Sequence, residues 1–257
     1  MLHTIRIAGH RGSMADFPEN TLASFQAAID CGADMIETDI HMTSDRQLVL
    51  IHDHRVDRTT DGTGLVRDMT LGEIKKLDAG SHLDNRFAGA AVPTLEEWLD
   101  LVKDNRTLQF NFELKDYPQD CGLAFCHESV DRTIALIRSF GLEDRCVINS
   151  FSAHVLEYVD RKYDHAFKLH GFYPYRLMSG QERDPSEYLY CACIFDETPC
   201  PRKTWFDALL SRRIEPWLGS AVQAKADFAQ AIQYGCRLFT TNEPARAIRI
   251  LQELGVR

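Results

Sequence analysis

Three segments of the chain set polar residues on alternate positions of strongly apolar stretches. They are Met35-Ile36-Glu37-Thr38-Asp39-Ile40-His41, Gln109-Phe110-Asn111-Phe112-Glu113-Leu114-Lys115, and Leu48-Val49-Leu50-Ile51-His52. Successive side chains of a strand point to opposite faces. Glu37, Asp39 and His41 therefore share one face, as do Asn111, Glu113 and Lys115, while Ile36, Ile40, Phe110, Phe112 and Leu114 turn the other way into packing. In an α/β chain both faces of a sheet are covered, and carboxylates there need a cation or strong hydrogen bonds to stay ionised. Glu37, Asp39 and Glu113 are thus a candidate divalent-metal site. An all-carboxylate set favours a hard ion, Mg²⁺ or Ca²⁺.

His10-Arg11-Gly12 and His52 add groups that move protons and hold anions. If Ser44-Asp45-Arg46-Gln47 is a tight turn with a two-residue loop at Asp45-Arg46, Asp39 lies opposite His52, which returns that imidazole to the face of the carboxylates. Asp-Arg is a poorer turn than Asp-Gly, so a slip in register stays open, as does a core role for His52. His10 can shuttle a proton, and Arg11 can grip a phosphate with parallel donors; a structural His-Arg pair is the alternative. Lys115 can balance the carboxylates and also meet an anionic substrate. Carboxylates alone would suggest glycoside chemistry. With two histidines, Arg11 and Lys115 added, the set fits a phosphodiester. Cations neutralise the phosphate, one histidine activates the nucleophile and the other protonates the leaving oxygen.

These residues need a scaffold that brings strand ends together. Strand-like segments fall at residues 5–9, 35–41, 108–115, 146–151, 167–172, 190–195, 214–218 and 237–241, separated by helical patterns. Leu22, Phe25 and Ile29 form one apolar face; Leu95, Trp98, Leu99 and Val102 form another after Pro93-Thr94; Val130, Ile134 and Ile137 form a third. Further helices are expected near 153–163, 205–212, 224–234 and 245–254, and residues 173–201 are the least legible. Eight strands alternating with helices in 257 residues predict a (β/α)₈ TIM barrel. A doubly wound sheet is the alternative, but it calls for a glycine-rich turn after the first strand, where only Gly9 and Gly12 stand. The expected organisation is a single domain over residues 1–257, with a small insertion after the second strand, at residues 54–92, over the barrel mouth.

The net charge of -9 argues against nucleic acid as a partner, although a small anion still fits a locally positive cleft. No apolar run approaches the ~20 residues that span a bilayer, and residues 1–9 lack the apolar core of a secretory signal. The expectation is a cytoplasmic protein without stable membrane association. The eight scattered cysteines read as reduced thiols, with a zinc site at Cys191-x-Cys193…Cys200 as the alternative, at a spacing that is not a standard zinc pattern.

The chain resembles the glycerophosphodiester phosphodiesterase family. The match runs through His10-Arg11-Gly12, Pro18-Glu19-Asn20-Thr21, Glu37-x-Asp39, His52-Asp53, Asp57-Arg58-Thr59-Thr60, Gly62-x-Gly64, Val92-Pro93-Thr94-Leu95-Glu96-Glu97 and Glu113-x-Lys115. The resemblance covers roughly the first half of the chain. It implies a (β/α)₈ barrel with a small insertion, metal ligation by Glu37, Asp39 and Glu113, acid-base roles for His10 and His52, and phosphate contacts from Arg11 and Lys115. Trp217 lies where the family usually has a tryptophan near the substrate; a packing aromatic is the other possibility. The second half departs from the pattern, with Thr241-Asn242-Glu243-Pro244 in place of Thr-Asp-x-Pro, and Trp217-Leu218-Gly219-Ser220 in place of Trp-Thr-Val-Asn.

The implied activity is metal-dependent hydrolysis of glycerophosphodiesters, such as glycerophosphocholine, to sn-glycerol 3-phosphate and an alcohol. One rival is a phospholipase D-like barrel acting on intact phospholipids, which calls for an apolar rim. Another is a non-catalytic barrel that binds glycerophosphodiesters, which should have lost a histidine or carboxylate.

Overall fold

The computed structural model describes residues 5–257. Its apolar runs become β1 (Arg6–His10), β2 (Met35–Met42), β3 (Leu48–Leu50), β4 (Gln109–Leu114), β5 (Cys146–Asn149), β6 (Lys168–Tyr173), β7 (Leu189–Ile194), β8 (Glu215–Leu218) and β9 (Leu238–Thr241). The amphipathic stretches become α1 (Leu22–Asp30), α2 (Leu71–Ile74), α3 (Leu95–Val102), α4 (Pro118–Cys121), α5 (Leu123–Ser139), α6 (Ala153–Lys162), α7 (Lys203–Ser211), α8 (Lys225–Tyr234) and α9 (Pro244–Glu253).

Strands β1, β2, β4, β5, β6, β7, β8 and β9 pair in parallel in that order, and β9 returns to β1, so that eight strands close a TIM barrel. All of the segments expected as strands lie in this barrel, and the doubly wound alternative is excluded by its closure. The ninth strand, β3, pairs antiparallel with β2 outside the ring.

The pleat sorts side chains into two compartments. Outward-facing Ile36, Phe110, Phe112 and Ile148 pack against helices, where Trp98 of α3 lies 4.3 Å from Phe25 and 6.1 Å from Phe110. Inside the barrel, Ala8, Met35, Val147, Cys191, Trp217 and Leu238 form a separate buried plug. Two residues further along the same strands come His10, Glu37, Asn149, Cys193, Gly219 and Thr240, which line a cavity above the plug. Layered filling of this kind makes a barrel interior a core and not a pore.

The hairpin differs from expectation. Ile40 pairs with Leu50 and Met42 with Leu48, so Asp39 stands opposite Ile51 and not His52. The loop holds three residues, closed by the Thr43 N–H donating to the Gln47 carbonyl at 2.9 Å. Arg46 takes the left-handed conformation at φ +64°, the geometry of a three-residue hairpin loop. His52 reaches the site because the chain leaves β3 after Leu50 and bends. From β3 to the start of α3 the chain builds a second apolar cluster of Val49, Ile51, Val56, Val66, Ile74, Ala79 and Val92. It ends in the Pro93-Thr94 entry to α3, where Thr94 and Glu97 cap each other's backbone N–H groups at 3.0 and 2.8 Å.

Gly12 is fixed by sterics. It sits at φ +87°, and a Cβ there would fall 2.4 Å from Ser24 Oγ. Gly12→Ala should destabilise the fold by more than about 1 kcal/mol, read from the midpoint of chemical denaturation. An unchanged midpoint would show that the turn rearranges freely.

Candidate active site

The first turn of the barrel mouth arranges backbone and side chains around the carboxylates. Arg11 adopts φ +52°, an uncommon conformation for a residue with a side chain. Its N–H thereby donates to Glu37 Oε2 at 2.9 Å. Asn20, also left-handed at φ +55°, donates through Nδ2 to Asp39 Oδ2 at 2.8 Å, while its own N–H donates to the Arg11 carbonyl at 3.1 Å. The Pro18-Glu19-Asn20 segment thus holds Asp39 from the side.

One oxygen each of Glu37, Asp39 and Glu113 lies within 4.8 Å of the others, and all three residues are buried. Lys115 Nζ donates to Glu113 Oε1 at 2.8 Å and lies 3.5 Å from Asp39 Oδ1. Arg11 Nε lies 3.3 Å from Asp39 Oδ2, and its Nη1 donates to Glu19 at 2.8 Å. Burial raises the Asp39 carboxyl, but Lys115 and then Arg11 outweigh it and hold the group below the usual range. Glu37 goes the other way. Burial, then repulsion from Asp39 and Glu113, push it well above the carboxylate range against the opposing pull of Arg11. Glu37 Oε1 and Asp39 Oδ1 are buried without a hydrogen-bond partner. Two carboxyl oxygens without a hydrogen bond, in a cluster with fewer cations than carboxyls, fit a hard divalent ion.

His10 and His52 face the same cavity of about 230 Å³, with Arg11, Glu37 and Glu113. His10 Nδ1 lies 2.7 Å from Asn242 Oδ1, and Nε2 is 3.9 Å from Glu37 Oε2. Burial, reinforced by neighbouring Arg11, lowers His10 to about 4, so the ring is neutral at pH 7. His52 Nδ1 instead bonds Asp53 Oδ1 at 2.6 Å. Burial raises Asp53, but bonds from Arg58 and His52 dominate and depress it. Arg58 donates to Asp53 at 2.6 Å and to both oxygens of Glu19 at 2.8 Å, and Glu19 also accepts from Arg11. A continuous ionic chain therefore joins the turn after His10 to the bend at His52.

The structure brings together Glu37, Asp39, Glu113, His10, His52, Arg11 and Lys115, and leaves Trp217 out. Trp217 is fully buried in the plug below the cavity, with Nε1 donating to Glu215 at 2.7 Å and Arg6 over its ring. This corrects the expected substrate contact: Trp217 packs, because its inward position lies one layer deeper than the residues at the mouth. Gly219 and Ser220 line the cavity from that strand instead. His41 shares the pleat with Asp39 but bonds Asp116 at 2.7 Å beside the cavity. The zinc alternative for the cysteines also falls away. All eight are free, and among the described residues only Glu37, Asp39 and Glu113 form a group able to hold an ion. Sequence reasoning missed Asn20, Asp53, Arg58 and Asn242 as holders of site groups, and Asn149 and His170 as lining. The strand pattern of residues 167–172 and 146–151 carried the last two.

Residues 10–187 match the model of the glycerophosphoryl diester phosphodiesterase family. The chain belongs to that family. It is 33% identical over 249 residues to a glycerophosphodiester phosphodiesterase of Caldanaerobacter subterraneus subsp. tengcongensis, covering 97% of this chain and 98% of the relative. A glycerophosphodiester phosphodiesterase crystal structure from Agrobacterium tumefaciens superposes with a TM-score of 0.78 at 26% identity, over 95% of this chain and 99% of that one. An Oleispira antarctica phosphodiesterase shares the fold at a TM-score of 0.81 and 21% identity, over 97% of each chain. As a member of this family, the chain is an enzyme that hydrolyses glycerophosphodiesters. Among the described residues, no helix is long and apolar enough to cross a membrane.

Burial, with Asp39 and Glu113 nearby, favours the protonated form of Glu37, and a divalent ion would favour the ionised form. Ion binding to the cluster should therefore release protons, and release more of them as the pH is lowered. Titration calorimetry in buffers of different ionisation enthalpy measures this. Zero release would mean that Glu37 is already ionised.

Proposed function

We propose that this enzyme converts glycerophosphodiesters of the deacylated-phospholipid type, such as glycerophosphocholine, into sn-glycerol 3-phosphate and an alcohol. One observation carries the proposal: two histidines with different partners, Arg11, Glu37 and Glu113 face one cavity, with Asp39 completing the carboxylate trio and Lys115 bonded to Glu113. The Oleispira antarctica relative was crystallised with the product sn-glycerol-3-phosphate, which supports this substrate class.

Glu37, Asp39 and Glu113 would hold Mg²⁺ or Ca²⁺, which when bound neutralises phosphate charge as a Lewis acid. Arg11 and Lys115 flank the carboxylates and orient the phosphodiester by charge-assisted hydrogen bonds. His10, neutral and backed by an amide oxygen at Nδ1, presents a bare Nε2 and serves as the general base. His52 has a carboxylate behind Nδ1, the arrangement that steadies a ring which carries and then gives up a proton, and it protonates the departing alcohol. Neutral amide behind one ring and carboxylate behind the other split the acid and base roles. Both histidines and all three carboxylates are in place, more than a binding-only barrel requires.

The attacking oxygen is either water or the glycerol 2-hydroxyl. The second forms a cyclic 1,2-phosphate that water then opens, and gains from intramolecular effective molarity of up to ~10⁵–10⁸ M. A substrate with hydrogen in place of the 2-hydroxyl separates the routes: turnover at the normal rate shows direct attack by water, and near-inertness shows the cyclic route.

His10→Ala and His52→Ala should each lower kcat by about 10²–10⁴-fold with the melting temperature nearly unchanged. Wild-type turnover in either variant removes its assigned role. Exhaustive chelation should abolish hydrolysis, and Glu113→Gln should sharply weaken binding of the ion. Full activity after chelation would overturn the metal assignment.

A further inference from the structure

The opposite end of the barrel is basic, although the chain carries a net charge of -9. All eight parallel strands begin there, so the residues that open them meet around one rim. Arg6 opens β1, Lys168 opens β6, Glu215 opens β8, and Arg237 directly precedes β9. Backbone bonds fix their order. The Arg6 N–H donates to the Arg237 carbonyl at 3.1 Å, and the Arg237 N–H donates to the Pro216 carbonyl at 3.1 Å. Arg213 joins them from the turn between α7 and β8, at φ +62°, a conformation that glycine or asparagine ordinarily supplies. Arg6, Arg213 and Arg237 line a cavity of about 410 Å³ together with Tyr190, Leu210 and Glu215.

The charges around this cavity do not balance. Glu215 is the carboxylate that lines it, and its oxygens are already engaged. Arg6 Nη2 and Trp217 Nε1 both donate to Oε1, the latter at 2.7 Å, and the Tyr190 hydroxyl donates to Oε2 at 3.3 Å. Arg6 is thereby neutralised, and its Nη1 donates to Gln109 at 3.2 Å. Among the described residues, Arg213 and Arg237 have no carboxylate partner, yet both face the cavity. Lys168 adds a third cation beside it, with Nζ 5.0 Å from the centre of the Tyr190 ring. Cations that share one concave wall repel each other until an anion lies between them. Each guanidinium presents paired donors that match two oxygens of an oxyanion. A carboxylate has two oxygens in one plane and satisfies one such fork. A phosphate group has oxygens on several sides and a second negative charge, which suits forks arriving from β9 and from the turn before β8. Leu210 and Ile214 give the cavity an apolar side, with room for the carbon part of a phosphate ester.

We infer that this cavity, at the end of the barrel away from the catalytic histidines, is a second anion site that takes a phosphate-group dianion. Arg213 and Arg237 are its binding residues, and Glu215 holds Arg6 in place beside them. The site shares no residue with the catalytic cavity.

The experiment is calorimetric titration of the ion-loaded enzyme with inorganic phosphate at constant ionic strength and about pH 8, where phosphate is a dianion. Wild-type enzyme should show a binding event that the Arg213→Gln/Arg237→Gln variant loses or makes at least about tenfold weaker. The catalytic cavity is the internal control, since phosphate should inhibit hydrolysis equally in both proteins. Lys76→Gln/Arg249→Gln removes the same charge from exposed positions elsewhere and should bind phosphate as wild type does. Phenyl phosphate separates the two sources of the ligand. Tighter binding than inorganic phosphate at this site identifies an ester as the occupant, and equal or weaker binding identifies the free ion. If the double variant does not fold, Arg213→Gln alone, on its exposed turn, tests the site by the same comparison. Phosphate binding that is the same in wild type and the site variant, or an equal loss in the Lys76/Arg249 variant, overturns the inference.

Discussion

Crowding of three carboxylates at the inner rim of the barrel is the constraint around which the rest of the site is arranged. Like charges taken out of water and set within 4.8 Å of one another resist both burial and proximity. Each neighbour can be understood as an answer to that cost. Arg11 accepts a left-handed backbone so that its N–H reaches Glu37 and its guanidinium lies beside Asp39. Asn20 adopts the same uncommon conformation to donate to Asp39. Lys115 directly follows the strand that carries Glu113 and reaches both Glu113 and Asp39. The apolar plug below keeps water from entering at the other end.

The histidines are positioned by a second, ionic construction. They come from different parts of the chain, one at the tip of β1 and the other on the bend after β3. Arg58 bridges Asp53 and Glu19, and Glu19 bridges back to Arg11. Arg58 is half-exposed, so a single pair of this kind would contribute little. With bidentate geometry and a partner as buried as Glu19, the chain behaves as a network, and its value lies in fixing one loop against the other.

The barrel was legible because apolar strands alternate with amphipathic helices at a regular pace, and the carboxylate trio because two strands carry acids on an otherwise apolar pleat. Other features depend on relations that no local pattern carries. The hairpin register turned on whether Arg46 would enter the left-handed region, which Asp45-Arg46 does not announce. Trp217 was misplaced because strand parity says that a side chain points inward but not at which level, and one layer separates plug from cavity. Asn242 and Arg58 act on residues remote in sequence, His10 and Asp53 with Glu19, through contacts that exist only once the ring closes. His170 lies in a strand with too few polar residues to mark it, and its place at the cavity follows from its register with Asn149.

The apolar cluster between β3 and α3 has a consequence for behaviour on heating. Its seven buried residues form a core apart from the larger one that holds strands to helices. Small cores open at lower free energy than the fold around them. His52 hangs at the edge of this small core, tied to the barrel through Arg58. The segment can therefore loosen, and carry one of the two histidines out of reach of its partner, while the ring of strands stays closed. Activity is then expected to fall on heating before the ring of strands opens, at a point set by a few valines and isoleucines outside the barrel.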